Sequence, residues 1–228
     1  NNDSDSNYYA SAAGAGYNGH ATAFSWAITV RVNGSSGATG TLYAYANNSS
    51  SNDSFGFRKE TVNGGFSAFI RPGGASFSLS TPDIDESDVD TGKIHDLVAT
   101  LEASIGSDSL LRLYHNGLEV GNLRINATFT PSASLYHSIL NFADGSAGCR
   151  NVSVLSAHTS NVTLTPTQVK AWHDSIVSIT TDTDIPSIPG EQDAWLVNDN
   201  TGAAATWTPA TGAATLSRTG TPVVDHLP

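Results

Sequence analysis

Cysteine is almost missing from this chain. Cys149 stands alone among 228 residues, so no internal disulfide can form and cysteine usage does not decide the compartment. Lysine is scarce as well: Lys59, Lys93 and Lys170 are the only three. With 21 acidic residues against 10 Lys and Arg, the net charge is −11. A surface this acidic repels phosphate backbones, which argues against nucleic acid as a partner. The chain also lacks the run of about 18 apolar residues that a membrane-crossing helix needs, and it shows no signal segment. It begins at Asn1 rather than Met, so a processed or trimmed N-terminus is expected. Acidic, lysine-poor surfaces go with salty or extracellular settings, so the expected location is extracellular or on a virion or cell surface.

What is present is turn chemistry and alternation. Hydrophobic residues make up 39%, with abundant Gly, Ser, Thr and Asn, a balance that suits many short strands joined by many turns. A single domain of this length buries roughly 70–75% of its unfolded surface and needs no disulfide or metal to hold it. Phe24–Val32 alternates cleanly: Phe24, Trp26, Ile28, Val30 and Val32 face one way, Ser25, Thr29 and Arg31 the other. Strands are also predicted over 41–46, 54–62, 65–71 and 75–80, with turn signals roughly every 8–12 residues, as in a sandwich or jelly roll. A longer strand from Gly92 leads to Asn116-Gly117, a dipeptide suited to a type I′ hairpin because both central positions need positive φ. Further strands are expected over 122–129, 135–142 and 151–157.

One helix is predicted, over 165–179. Thr165 suits the N-cap, Pro166 the first helical position, and Gln168 completes a capping box. Val169, Trp172, Ile176 and Ile179 form one apolar stripe, placing the helix on a sheet edge or across one end of the sandwich. Residues 1–23 read as an arm or irregular lead-in, 24–179 as the sandwich and 180–193 as a linker. Residues 194–228 read as a strand segment docking on the sandwich or on a neighbour. The predicted fold is all-β: a two-sheet antiparallel jelly-roll sandwich with one short helix.

Candidate sites are few. Asp83, Asp85, Asp88 and Asp90, with Glu86, offer clustered oxygen ligands of the kind calcium takes. A solvated acidic turn that discourages edge pairing is the simpler reading of that run. Tyr43 and Tyr45 share one strand face, and Arg58 and Asn63 lie within reach if adjacent strands pair. That set suits stacking and hydrogen bonding to a sugar, though two tyrosines lining the interior read equally well. The seven histidines show no metal-binding spacing, and neither a Gly-x-Ser-x-Gly elbow nor a phosphate-cradling glycine motif occurs. Asn-x-Ser/Thr triplets at positions 2, 33, 47, 48, 52, 126, 151 and 161 are what a Ser/Thr/Asn-rich chain makes by chance.

Ile94-His-Asp-Leu-Val-Ala-Thr100 followed by Leu111-Arg-Leu-Tyr-His-Asn-Gly-Leu-Glu-Val120 resembles the laminin-G-like, concanavalin-A-like jelly-roll superfamily. Phe24–Val32 is similar to its early core strand. Residues 151–157, followed by Leu164-Thr-Pro-Thr-Gln-Val169, are similar to its late strand and helix, so the likeness spans about residues 24–179. The resemblance implies a fold used mainly for recognition, by lectins, carbohydrate-binding modules, adhesion domains and surface proteins of bacterial viruses, often with a rim calcium. A minority of members are glycoside hydrolases or polysaccharide lyases. The matching positions are turn and core residues, so no ligand or calcium position carries over. Three functions are therefore expected in order: a non-catalytic module binding glycans or a protein surface; a structural decoration or adhesin protein that assembles, as a homo-oligomer or on a larger particle, through its terminal arms; and a carbohydrate-active enzyme. The acidic run does not match the Glu-x-Asp-x-x-Glu strand pattern of jelly-roll hydrolases, which disfavours the third.

Overall fold

The structure, a computed structural model, describes residues 8–14, 23–32, 39–48, 51–60, 65–82, 93–103, 108–127, 129, 131–143, 149, 152–179, 185–196, 206–212 and 214–219. Two antiparallel sheets face each other. Those of the first are β1 (Tyr8–Ala10), β3 (Gly40–Tyr45), β4 (Ser54–Lys59), β5 (Phe66–Arg71), β6 (Phe77–Ser80), β10 (His137–Ile139), β13 (Thr206–Trp207) and β14 (Leu216–Thr219). They run in the order β13-β14-β1-β10-β3-β4-β5-β6. The second sheet holds β2 (Phe24–Val32), β7 (Ile94–Ala103), β8 (Ser109–His115), β9 (Leu118–Ile125), β11 (Val152–Ser160) and β12 (Glu191–Leu196), in the order β12-β11-β2-β7-β8-β9. This is the jelly-roll sandwich that the alternation predicts.

The core lies between the sheets, where alternate residues converge. Phe24, Trp26, Ile28, Val30 and Val32 of β2 all turn inward and are fully buried. Phe24 and Trp26 meet Phe55 from the opposite sheet at ring-centroid distances of 4.9 and 5.0 Å. Burying one such aromatic or aliphatic side chain stabilises the fold by about 1.5–3 kcal/mol. The predicted hairpin forms as expected, with Asn116 at φ 49° and Gly117 at φ 75°, the two positive values a type I′ turn requires.

The helix, α1 (Pro166–Ile176), starts where predicted. The Gln168 amide donates to Thr165 Oγ1 at 3.3 Å, and the Thr165 amide donates to Gln168 Oε1 at 2.8 Å. Its position differs from the expectation. It neither guards an edge nor closes an end, but lies on the outer face of the second sheet, where Val169, Trp172 and Ile176 pack on Ala27, Val98 and Tyr114. These three outward side chains, on three neighbouring strands, make an apolar patch that needs covering. As a result both faces of β2 are buried, Ser25 and Thr29 included.

The N-terminal segment and the stretch read as a linker also differ from their sequence reading. Tyr8–Ala10, read as part of an irregular lead-in, is a strand held between β10 and β14, with Tyr9 opposite Ile139 on one side and Arg218 on the other. In the stretch read as a linker, Ile185 and Ile188 are buried and β12 begins at Glu191. There β12 pairs with β11, while Trp195 is buried and donates from Nε1 to the Ala214 carbonyl at 2.8 Å.

Candidate functional site

Among the described residues, the sequence-predicted Tyr43, Tyr45 and Arg58 do not share one site. Tyr43 and Tyr45 turn into the sandwich and are fully buried. The Tyr43 hydroxyl shares a hydrogen bond with His137 Nδ1 at 2.9 Å, and the Tyr45 ring lies 4.7 Å from that imidazole. Burial, with the nearby Asp193 carboxylate, pushes the Tyr43 hydroxyl well above its ordinary range. Neither tyrosine is placed to stack on a sugar, so the interior reading holds for both. Arg58 points the opposite way, onto the outer face of the first sheet, with its guanidinium 4.5 Å from the Phe69 ring centroid. Asn63 and the acidic positions Asp83, Asp85, Asp88 and Asp90 lie outside the described residues. Among the described residues no group of three or more His, Cys, Asp or Glu side chains is arranged to hold a metal ion.

Two histidine–carboxylate pairs lie beneath the helix. His173 Nδ1 meets Asp96 Oδ2 at 2.5 Å, and His158 Nδ1 meets Glu191 Oε2 at 2.8 Å. Burial raises the Asp96 carboxyl while His173 pulls it back down. For Glu191 the balance reverses: burial raises it, but His158 and further hydrogen bonds bring it below its ordinary value. Both carboxylates are largely shielded from solvent; the first pair joins the helix to β7 and the second joins β11 to β12 within the second sheet. The Trp172 indole adds a hydrogen bond to the Pro186 carbonyl at 2.9 Å. The His173–Asp96 pair and the Trp172 bond thus fasten the helix, and the His158–Glu191 pair fastens the start of β12 to β11.

An open cleft of about 540 Å³ lies at one end of the first sheet, between the β3–β4 connection and the segment leading into β10. Its walls carry Asn47, Asn48, Ser51, Asn52 and Asp53 on one side and Ser132, Ser134 and Tyr136 on the other. The first wall is built around Ser51, whose Oγ accepts from the Asn47 and Asn48 amides at 2.9 Å each. Asp53 sits at φ 53°, a left-handed conformation that Asp tolerates, and its Oδ1 accepts from the Gly73 amide at 2.9 Å. The Ser132 amide donates to the Asp53 carbonyl at 3.1 Å and ties the two walls together. Because His137 is turned inward, strand alternation turns Tyr136 to the outside, where it is half-buried in the cleft. The cleft thus joins one partly exposed aromatic ring to amide, hydroxyl and carboxylate groups on a braced loop. The sequence marks 47–53 as an exposed polar loop. Nothing in it links that loop to Tyr136, which a long-range strand pairing brings alongside.

No protein-family model and no curated protein sequence matches the chain. Solved structures do resemble it. One is a protein from Bacteroides ovatus described as a candidate carbohydrate-binding protein, with a TM-score of 0.62 and 12% identity over 98% of this chain and 60% of that one. The binding domain of botulinum neurotoxin DC, solved in complex with rat synaptotagmin II, gives a TM-score of 0.52 at 12% identity over 73% of this chain and 38% of the other. The binding domain of botulinum neurotoxin serotype D gives 0.52 at 12% identity, over 71% and 38%. The chain therefore spans 60% of the length of the first and 38% of the other two. At such identities the likeness is one of fold. In fold, the chain resembles the concanavalin-A-like, laminin-G-like jelly rolls, as its His95–Val120 motif implies.

Proposed function

We propose that this chain is a non-catalytic recognition module that binds carbohydrate through the cleft between residues 47–48 and 51–53 on one side and 132–136 on the other. The observation that carries the proposal is the composition of that cleft: a half-buried, outward-facing Tyr136 opposite Asn47, Asn48, Asn52 and Asp53. A sugar ring offers apolar C–H faces to an aromatic ring and hydroxyls to amide and carboxylate groups, and the cleft supplies both. The loop is braced by Ser51 before any ligand arrives, which lowers the ordering cost of binding. The fold likeness to a candidate carbohydrate-binding protein and to toxin binding domains supports a recognition role. An extracellular or particle-surface setting goes with this reading and with the net charge of −11.

Assembly through free terminal arms has less support. Tyr8–Ala10 and Leu216–Thr219 pair with each other on the chain's own sheet. The test is a glycan array probed with and without added calcium. Retention on a defined group of glycans is expected, and a calcium requirement would bring the acidic run at 83–90 into the site. Silence across the array under both conditions would remove the carbohydrate reading.

A further inference from the structure

We infer that Arg71, assisted by Arg58, forms an oxyanion site on the outer face of the first sheet, which takes the carboxylate or sulfate of an acidic saccharide. The inference rests on the carbohydrate reading and narrows it to acidic glycans. Register places the site: Arg71 stands opposite Ser54, and Arg58 opposite Ser67, on adjacent strands. Phe69 lies between them in sequence and on the same face, its ring leaning over Gly56, where an added Cβ would come within 2.9 Å of it. The Arg58 and Arg71 guanidiniums lie 4.5 and 5.5 Å from the Phe69 ring centroid, and Arg58 is also 5.6 Å from that of Phe142.

Two features of this arrangement call for an anion. The first is an imbalance of charge. In a chain of net charge −11, two cations share one ring, and among the described residues neither forms an ion pair with a carboxylate. Glu60 offsets Arg58 in part, although its carboxylate also accepts a hydrogen bond from Ser67. For Arg71 burial lowers the basicity, and the repulsion of Arg58 adds to it. The second feature is an unmet donor: Arg71 Nη1 is buried without a hydrogen-bond partner among the described residues. A buried guanidinium N–H without an acceptor is unfavourable, and a carboxylate or sulfate presents two oxygens that meet that fork with paired hydrogen bonds.

Position suits a saccharide, and the segment after Arg71 opens to solvent. Residues 73–76, which follow Arg71, are exposed. The Asp53 amide donates to the Arg71 carbonyl at 2.7 Å, so the arginine adjoins the cleft wall. Tyr136 and Arg71 flank the same end of the sheet, three strand spacings of about 4.8 Å apart. One short chain of sugars therefore reaches from the ring of Tyr136 to the guanidinium.

The experiment is calorimetric titration of the full chain with three probes: a uronate-containing oligosaccharide, its neutral counterpart and inorganic sulfate. The uronate ligand is expected to bind about tenfold or more tighter than the neutral one. That advantage disappears in Arg71→Gln and is reduced in Arg71→Lys, which keeps the charge but loses the fork. Neutral-ligand binding and the melting temperature of both variants stay near wild type. Should Arg71→Gln fail to fold, Arg58→Gln carries the same test with a smaller loss. Equal binding of acidic and neutral saccharides overturns the oxyanion site and leaves the carbohydrate reading standing. Sulfate binding as tight as that of the uronate ligand, with the neutral one silent, keeps the oxyanion site and removes the carbohydrate reading. No binding of any probe overturns both.

Discussion

Acid is expected to weaken this fold from one end of the sandwich, through His115. His95 Nδ1 and His115 Nε2 lie 3.0 Å apart, their rings stack at 5.2 Å, and Phe66 packs against both. Burial, then the neighbouring His95 and His173, lowers His115 from 6.5 to about 4. His95 is lowered too, by burial and by Lys93. Between those two values the unfolded chain binds a proton that folded His115 refuses. The stabilisation is therefore complete above pH 6.5 and is lost as pH falls through about 4. At about pH 4.5 the loss amounts to about 2–3 kcal/mol, and the partial exposure of His115 favours the lower figure. Asp96 acts in the opposite direction, since its raised carboxyl takes up a proton more readily folded than unfolded. The assay is urea unfolding at about pH 7 and about pH 4.5, for wild type and for His115→Asn, which keeps a hydrogen-bonding partner for His95 but cannot charge. Wild type is expected to lose about 2 kcal/mol more than the variant over that interval. Equal losses in the two proteins would mean that His115 is not the source of the acid sensitivity.

Two further predictions concern the helix and its seat. Thr165→Ala removes the acceptor of the capping box and is expected to cost about 1 kcal/mol in urea unfolding, with faster amide exchange confined to the first turn of the helix. Gly117→Ala places a Cβ within 2.8–3.0 Å of His173 at a backbone φ of +75°, where L side chains are strained. It is expected to cost about 1–3 kcal/mol and to loosen the His173–Asp96 contact, which the His173 ring resonances report on.

The sequence revealed most where the determinants are local. The alternation of Phe24–Val32, the Asn116-Gly117 turn and the Thr165–Gln168 cap each depend on residues within a few positions of one another, and each forms as expected. Pairings between distant segments were not legible. Tyr8–Ala10 becomes a strand only because β10 and β14 flank it, and a three-residue stretch carries no alternation to announce that. A period of two tells that Tyr43 and Tyr45 share a face, but not which face. His137 and Trp195, about 90 and 150 residues further on, complete the interior that receives them. The helix docks on Ala27, Val98 and Tyr114, no two of which are neighbours in sequence. The cleft has the same character: residues 47–53 read as a polar loop, while Tyr136 reaches it through the pairing of β10 with β3.

The cleft holding Tyr136 is expected to bind sugar. Its most direct test is an NMR titration of the full chain with a saccharide drawn from the glycan array. Amide shifts are expected to cluster in 47–53 and 131–136, and Tyr136→Ala to weaken binding about tenfold, equivalent to about 1.4 kcal/mol. Shifts confined to another face, with Tyr136→Ala binding as wild type does, would mean that this cleft is not the sugar site.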